Sequence, residues 1–557
     1  MPTSIHERIQ SWLKGPYDPE MKAEIRRLLE VDPNSLQDAF FKDLSFGTGG
    51  MRGVMGIGTN RMNIYTIRRA TQGLANTIRK QPGEGHRVFI GYDVRNHSRE
   101  FAEEAARVLS GNNIEVLLSK DICPTPLVSF ACRYFHCTAA IMITASHNPP
   151  QYNGYKVYWS DGCQVVPPHD AEIMKEVEQI KSPAQVVLGN AFEEVGSEID
   201  DVYLEHLKQL QMLPAMASVP LHIVYSNLHG TGIRLVPKAL KTWGYTHVHL
   251  VKEQQSLDGN FPNAPSPNPE EEKAMQLGMA QLMREKGDLF IATDPDADRI
   301  GLAVGKTRFN GNQIGCLCLH HICKTLRDKG EFPENGAFVK SIVTTELFRK
   351  IAESFGGKCI DVLTGFKYIG EQIGIWEKAF DSYQYLFGAE ESYGYLFGTF
   401  VRDKDAVSAA CLIAEMAASA KSQGKTLVDI LHALYAEFGI HLQSLTSLSF
   451  PDSQAGMDET NALMRTLRTT PPQEIGGQAV VLREDFLPGL HHLPPSDVLR
   501  FWLKDQSKLV IRPSGTEPKV KIYAEAVGVE RESEEQVDAR LKALVESFKN
   551  GIGYGRK

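Results

Sequence analysis

The chain is predicted to be an α/β protein with a separate α+β domain at its C-terminal end. Three observations predict this. Apolar runs of strand length alternate with amphipathic stretches in three successive rounds. Each round ends in a polar loop, and the alternation stops near residue 445. The 557 residues also exceed what one hydrophobic core supports, so three or four domains are expected.

In order along the chain, residues 1–45 read as helical, with Ile25, Leu28 and Leu29 on one face. A glycine-rich loop follows. Strands are expected at 87–94, 114–118 and 139–143, and helices at 99–110 and 170–180. The second round has strands at 219–225, 246–251 and 288–293, with helices at 235–243 and 274–286. The third has strands at 337–344, 359–363 and 385–388 and a helix at 345–355. Beyond 445, strands at 479–482, 498–503, 508–512 and 520–526 precede an amphipathic helix at 532–548. The domains are expected at 1–205, 206–310, 311–440 and 441–557.

Hydrophobic residues make up 42% and charged residues 23%, ordinary for a globular protein. The net charge of −8 argues against nonspecific nucleic-acid binding, but local arginines and lysines can still build a pocket for an anion. No run approaches the ~20 apolar residues of a membrane span, and the first residues lack a signal-peptide core. No nucleic-acid or membrane partner is expected, and a reducing cytoplasm fits the nine cysteines, which include no CxxC pair. Cys316, Cys318, His321 and Cys323 have a zinc-like spacing but fall in an apolar run at 314–326, which favours a buried helix face.

Five segments carry chemistry. Ile141-Met-Ile-Thr-Ala-Ser-His-Asn-Pro-Pro150 delivers a hydroxyl, an imidazole and an amide at the end of a strand, where ligands bind in open α/β sheets. Ser146 is therefore a candidate nucleophile or phosphate carrier; a polar turn is the competing reading. The prolines block regular pairing, so the loop is expected to run on through Lys156. Asp294, Asp296 and Asp298 are spaced by two, which puts three carboxylates on one face of an extended segment. Their repulsion, at the end of an apolar strand, favours a hard cation such as Mg2+; a solvated acidic turn is the competing reading. An EF-hand is excluded, because Arg299 and Gly305 stand where glycine and glutamate are needed. Arg512-Pro-Ser-Gly-Thr516 collects a guanidinium, hydroxyls and free amides, a set that suits a phosphate or a hairpin turn. Phe387-Gly-Ala-Glu-Glu-Ser-Tyr-Gly-Tyr395 offers carboxylates and a hydroxyl to a polyol, or is a polar loop. Phe46-Gly-Thr-Gly-Gly-Met-Arg-Gly53 lets an anion approach the backbone beside Arg52, or is a surface loop. No P-loop or dinucleotide fingerprint occurs.

Taken together these segments resemble the α-D-phosphohexomutase family over nearly the whole chain. Thr144-Ala-Ser-His-Asn-Pro149 with Asn153-Gly-Tyr-Lys156 is similar to its phosphoserine motif. Asp294-Pro-Asp-Ala-Asp-Arg299 resembles its metal loop, with Pro295 as a departure. Gly388-Ala-Glu-Glu-Ser-Tyr-Gly394 resembles the sugar loop, Arg512 to Thr516 the phosphate loop, and 47–53 the entry motif. The Glu390-Glu-Ser392 wording is closest to the branch of bacterial phosphoglucomutases and animal phosphopentomutase. The resemblance implies three related α/β domains with mixed sheets and a C-terminal α+β domain around a central active-site cleft. It implies an isomerase that interconverts glucose 1-phosphate and glucose 6-phosphate through phospho-Ser146 and a bound glucose 1,6-bisphosphate. Mannose or pentose phosphates are the alternatives within the family; a sugar phosphatase and a noncatalytic sugar-phosphate sensor lie further off. Mg2+ would be held by Asp294, Asp296, Asp298 and a Ser146 phosphate oxygen, with Arg52 and Arg299 assisting. Glu390 and Ser392 would bind sugar hydroxyls, and Arg512, Ser514, Gly515 and Thr516 the nonreacting phosphate. Lys156, then His147, then Lys404 are the candidates for proton transfer. Family members with a histidine acid/base place it where this chain has Tyr395. The expected partners are small sugar phosphates, and the expected state is a monomer or weak dimer.

Overall fold

The computed structural model describes residues 4–44, 50–451, 453–515 and 518–554. They form two compact units, one of Met1–Gly311, Gly365–Gly388 and Ser392–Gly424 and one of Asn312–Thr364, Ala389–Glu391 and Lys425–Lys557.

The first unit contains two mixed sheets built alike. In one, β1 (Met51–Val54), β2 (Arg87–Tyr92), β3 (Glu115–Ser119), β4 (Ala139–Ile143), β5 (Tyr152–Trp159) and β6 (Glu193–Val195) take the order β1-β5-β4-β2-β3-β6. Strands β4, β2, β3 and β6 run parallel, and β5 returns antiparallel beside β4. Strand β4 is buried along its whole length. That is why it reads as a continuous apolar run instead of an alternation. One face, with Val88, Ile90, Val116, Leu118, Ile141 and Ile143, packs on the helices Ile64–Ile78 and Ser98–Gly111. The helix Thr125–Tyr134 packs on β2 and β4 from the side of Phe89, Ala140 and Met142.

The second sheet repeats the plan. Its strands β7 (Ile223–Ser226), β8 (Val248–Leu250), β9 (Leu289–Thr293), β10 (Ile300–Val304) and β11 (Thr307–Phe309) take the order β11-β10-β9-β7-β8. Here β9, β7 and β8 are parallel and β10 returns antiparallel beside β9. The helix Ala406–Ser422, nearly all buried, packs on β9 and β10.

The second unit opens with the parallel pair β12 (Gly336–Ser341) and β13 (Lys358–Val362), which the helix Glu346–Ser354 joins. The predicted sugar loop lies between β14 (Gln384–Glu390), of which only Ala389 and Glu390 belong to this unit, and β15 (Gly394–Phe397), which belongs to the first. The C-terminal sheet is antiparallel throughout. Its strands β16 (His441–Ser449), β17 (Glu474–Ile475), β18 (Gln478–Asp485), β19 (Leu499–Leu503), β20 (Lys508–Pro513) and β21 (Lys519–Val527) take the order β16-β21-β20-β19-β18-β17. The helices Gln454–Thr469 and Glu534–Gly551 share one core with it, while Leu445, Val481 and Leu482 remain exposed. A buried ion network also runs through this unit. Lys340, fully buried, lies 3.0 Å from both Glu346 and Asp361, and Lys508 lies 2.6 Å from Glu346 and 3.4 Å from Glu525. The third α/β region and the C-terminal sheet thus share buried charge.

Most predicted strands appear within a few residues of their expected positions. Strands not expected are β5, β10 and β15, each the return strand after a signature loop, and also β1, β6, β11, β16 and β17. In β5, Tyr-Asn-Gly-Tyr-Lys shows no clean apolar period, yet Asn153 is fully buried and Lys156 is 4% exposed. Their polar groups are satisfied by tertiary partners, which a linear pattern does not reveal. Lys156 therefore sits on a strand, paired with Met142, and not in the loop.

Candidate active site

The serine and aspartate motifs occupy the same place in the two sheets of the first unit. Each forms the connection from a central strand to its antiparallel return strand, 144–151 between β4 and β5 and 294–299 between β9 and β10. The third motif joins β14 to β15 in the same way. Each connection carries one non-glycine residue in the left-handed region: Ser146 (φ 53°), Ala297 (φ 53°) and Tyr393 (φ 65°). Such a backbone is strained for an L-residue and persists only where its surroundings hold it.

Buried side chains hold Ser146 in place. The Thr144 hydroxyl accepts the Ser146 N–H at 2.8 Å and donates to Asp93 Oδ2 at 2.6 Å. Asp93 also accepts from Ser98 Oγ (2.7 Å) and the Arg95 N–H (2.9 Å). The Arg95 side chain, fully buried, donates to the carbonyls of Ser146, Asn148, Pro149 and Tyr152 and so gathers the loop around one guanidinium. Asp93 and Arg95 were not expected from the sequence. Their signal was two charges directly after a buried strand, which resembles any solvated strand end.

Ser146 Oγ donates to Asp294 Oδ2 at 2.9 Å and lies 3.1 Å from His147 Nδ1. Asp294, Asp296 and Asp298 are all buried, with one carboxylate oxygen from each within 4.8 Å of the others. Lys156 Nζ donates to Asp296 Oδ2 (2.8 Å) and Asp298 Oδ2 (3.2 Å). Lys404 Nζ lies 3.3 Å from Asp298 and 3.0 Å from Asp403, which also accepts from Tyr158 Oη at 2.8 Å. Thr125 Oγ1 donates to Asp296 Oδ2 at 2.9 Å. Arg299 reaches Glu270 at 3.1 Å, and Arg52, exposed, donates to Asn148 Oδ1 at 2.9 Å.

The electrostatics follow from this crowding. Burial and repulsion by Asp296 and Asp298 hold the Asp294 carboxyl well above its ordinary value. Burial would also raise Asp298, but Lys404, Lys156 and Arg299 overcome it and depress that group. Burial opposes the charge on Lys156, yet Asp296 and Asp298 outweigh it and keep the ammonium above its usual range. Desolvation, with Arg299 and Arg52 nearby, holds the His147 imidazole well below its usual range.

The residues fit a divalent cation. Asp296 Oδ1 and Asp298 Oδ1 are buried without a hydrogen-bond partner, which is costly for a carboxylate unless an ion occupies that side. No other group of three metal-ligating side chains comes together among the described residues. Cys316, Cys318 and Cys323 are buried on the helix Gly311–Lys329.

The first unit therefore brings together Ser146, His147, Lys156, Asp294, Asp296, Asp298, Arg299, Lys404 and Arg52. The sugar motif reaches this group through its backbone, where the Ile300 N–H donates to the Tyr393 carbonyl at 3.1 Å. Ser392, partly buried, is the preceding residue. Tyr395 is 1% exposed and donates its hydroxyl to the Gly311 carbonyl at 2.6 Å, a packing role. In the second unit Glu390 ends β14, Arg512 lies on β20, and Ser514 and Gly515 lie in the hairpin between β20 and β21. Tyr523, not foreseen, stands among these groups. Burial and then Glu391 raise its pKa, and it is hydrogen-bonded to Arg512. Thr516 and residues 46–49 of the glycine-rich motif lie outside the described residues.

Comparison with known proteins agrees with this organisation. Four family models match in succession: phosphoglucomutase/phosphomannomutase α/β/α domains I (residues 43–184), II (201–307) and III (310–438), and the C-terminal domain (460–543). A phosphoglucomutase of Staphylococcus aureus is 37% identical over 510 residues, covering 87% of this chain and 90% of that protein. Two solved structures share the fold. One is a parafusin (phosphoglucomutase) from Paramecium in an open form (TM-score 0.71, 17% identity, 92% of this chain and 95% of that one). The other is a phosphoglucomutase/phosphomannomutase family protein from Burkholderia thailandensis (TM-score 0.67, 19% identity, 91% and 98%). With all four domains matched in order, the chain belongs to the phosphoglucomutase/phosphomannomutase family.

Proposed function

We infer that the protein is an isomerase that interconverts α-D-glucose 1-phosphate and glucose 6-phosphate by phosphoryl transfer through Ser146. One observation carries this reading. A buried serine hydroxyl, held in a left-handed backbone, points 2.9 Å from a buried aspartate triplet that has two unpaired carboxylate oxygens. The name and coverage of the Staphylococcus aureus relative support the choice of glucose.

In the working cycle, a free hydroxyl of the sugar monophosphate attacks the phosphorus carried on Ser146. The P–O bond to Ser146 Oγ breaks, the hydroxyl loses its proton, and the serine oxygen gains one. The resulting glucose 1,6-bisphosphate then presents its other phosphate to Ser146, and the reverse transfer leaves the isomeric monophosphate. Asp294, Asp296 and Asp298 would hold Mg2+, which when bound offsets charge on the transferring group. His147 is the proton-transfer candidate within reach of Ser146 Oγ, at 3.1 Å. Lys156 is held by Asp296 and Asp298 and serves as fixed positive charge. Lys404, partly exposed beside Asp298 and Asp403, is the candidate partner of the sugar hydroxyl. Arg52, bonded to Asn148, and Arg299, paired with Glu270, would add positive charge near the transferring group. Glu390 and Ser392 would bind sugar hydroxyls, and Arg512, Ser514, Gly515 and Thr516 the other phosphate. The four predicted domains would then contribute a phosphoserine, a metal, a sugar and a phosphate loop in turn.

A coupled assay on glucose 1-phosphate, with intact-mass analysis, tests the reading. The wild type should form glucose 6-phosphate without stoichiometric release of inorganic phosphate and should carry one phosphate. Ser146→Ala should carry none and show no turnover. Full activity in Ser146→Ala, or stoichiometric phosphate release by the wild type, would refute it.

A further inference from the structure

The first unit contains a cavity of about 690 Å3, lined by none of the residues grouped around Ser146. That volume falls in the range of small-molecule sites, roughly 300–1,000 Å3. Its lining includes Arg133, Lys378 and Arg402, together with the carboxylates of Asp161 and Glu377. Arg402 is 2% exposed; its Nη2 donates to Glu377, while Nη1 is buried without a hydrogen-bond partner. Arg133 donates to the Thr399 carbonyl, and burial together with neighbouring Arg402 holds its guanidinium below the ordinary value. Lys378, exposed at the rim, makes no hydrogen bond or ion pair among the described residues. Two crowded guanidiniums with an unused donor, plus a free ammonium, favour an anion with several acceptor oxygens.

Aromatic rings also line it. Tyr134, 46% exposed, stacks on Phe130 at a ring-centroid distance of 5.7 Å, and Phe130 meets Phe400 edge to face at 5.8 Å. Such a wall offers a flat ring a stacking surface. The cavity is also joined to the catalytic group. Arg402 lies two residues before Lys404, which is 3.3 Å from Asp298, and the Arg402 N–H is fixed to Ser129 Oγ at 2.9 Å. A ligand that draws the Arg402 side chain from Glu377 would act on Lys404 through this short segment, whose Arg402 N–H is held by Ser129.

We propose that this cavity binds a phosphate monoester with a flat aromatic body, of the nucleoside monophosphate class, and that its occupancy changes turnover through the Arg402–Lys404 segment. The effect on turnover rests on the isomerase reading above; the binding itself does not.

Titration calorimetry on the full chain with AMP, inorganic phosphate and glucose 6-phosphate tests the proposal, using wild type, Arg133→Met and Lys378→Met. AMP should bind the wild type saturably and more tightly than inorganic phosphate. Each substitution should weaken AMP by about tenfold or more, the scale of one lost charge-assisted contact. Lys378 is exposed, so its variant should fold even if Arg133→Met does not. Equal affinity for AMP and inorganic phosphate, tighter binding of glucose 6-phosphate than AMP to the same residues, or AMP affinity unmoved by Lys378→Met would overturn the site. In parallel, AMP should change kcat of the wild type at saturating glucose 1-phosphate but not of Lys378→Met. AMP binding with no change in kcat would overturn the coupling. Absence of any mutase activity would refute the isomerase reading and leave the binding result standing.

Discussion

Thr144→Val removes one hydroxyl and keeps the shape of the side chain. That hydroxyl links Asp93 to Ser146, donating to one at 2.6 Å and accepting from the other at 2.8 Å. Without it the Ser146 N–H, buried at a left-handed residue, has lost its partner. Leaving a buried donor unsatisfied costs about 1–3 kcal/mol, and a left-handed non-glycine residue stores a further ~1–3 kcal/mol that only such contacts sustain. The loop can recover part of this by letting Ser146 relax, which moves Oγ away from Asp294. The expected loss in transition-state stabilisation is about 1.4–2.8 kcal/mol, a tenfold to hundredfold fall in kcat. Steady-state kinetics on glucose 1-phosphate measure it, with Thr144→Ser as the control that restores the hydroxyl and most of the rate. If Thr144→Val kept kcat within about twofold of wild type while Thr144→Ser matched it, the hydroxyl would not be positioning Ser146, since its bonds are worth more than that factor.

Three further outcomes are expected. A chelator should abolish turnover, and Mg2+ should raise the thermal midpoint of the chelated wild type but not of Asp296→Ala; an equal rise in both would show that the triplet is not the cation site. A Cβ on Gly394 would sit 2.3 Å from Lys404 Cδ, so Gly394→Ala should push the ammonium off Asp298 and lower kcat with the fold intact by circular dichroism; an unchanged kcat would remove Lys404 from the mechanism. Glu525 is fully buried, yet Lys508 and His441 outweigh that burial and lower its pKa from 4.5 to about 2. Its contribution to stability is complete above the unfolded value and lost as pH falls from 4.5 toward 2. Circular dichroism across that window should show the wild type losing structure more steeply than Glu525→Gln, and equal slopes would contradict the buried network.

The parts of the site that were legible in the sequence are those whose chemistry is compact along the chain. The three aspartates at spacing two, the Ser-His-Asn triplet after a buried strand, and the Glu-Glu-Ser and Arg-Pro-Ser-Gly segments each stand out without a fold. Asp93, Arg95, Thr125, Asp403 and Tyr523 did not. Each is a single ordinary residue whose place at the site comes from the fold; Thr125, for example, meets Asp296 across 171 positions. The return strand β5 was hidden for the same reason, because Asn153 and Lys156 are satisfied only by groups the fold delivers.

By itself the sequence determined the fold class, the rounds of strand and helix, and the reactive groups, because period and local composition set which segments bury and which end in polar loops. The tertiary structure alone decided how those groups are placed. It put Ser146 and Asp294 at 2.9 Å although 148 positions separate them, and it placed Lys156 on a strand against two aspartates. It also turned Tyr395 inward, where its hydroxyl donates to the Gly311 carbonyl. Charge state, backbone strain and hydrogen-bond reach depend on distances across the fold, and those distances exist only once the sheets have packed.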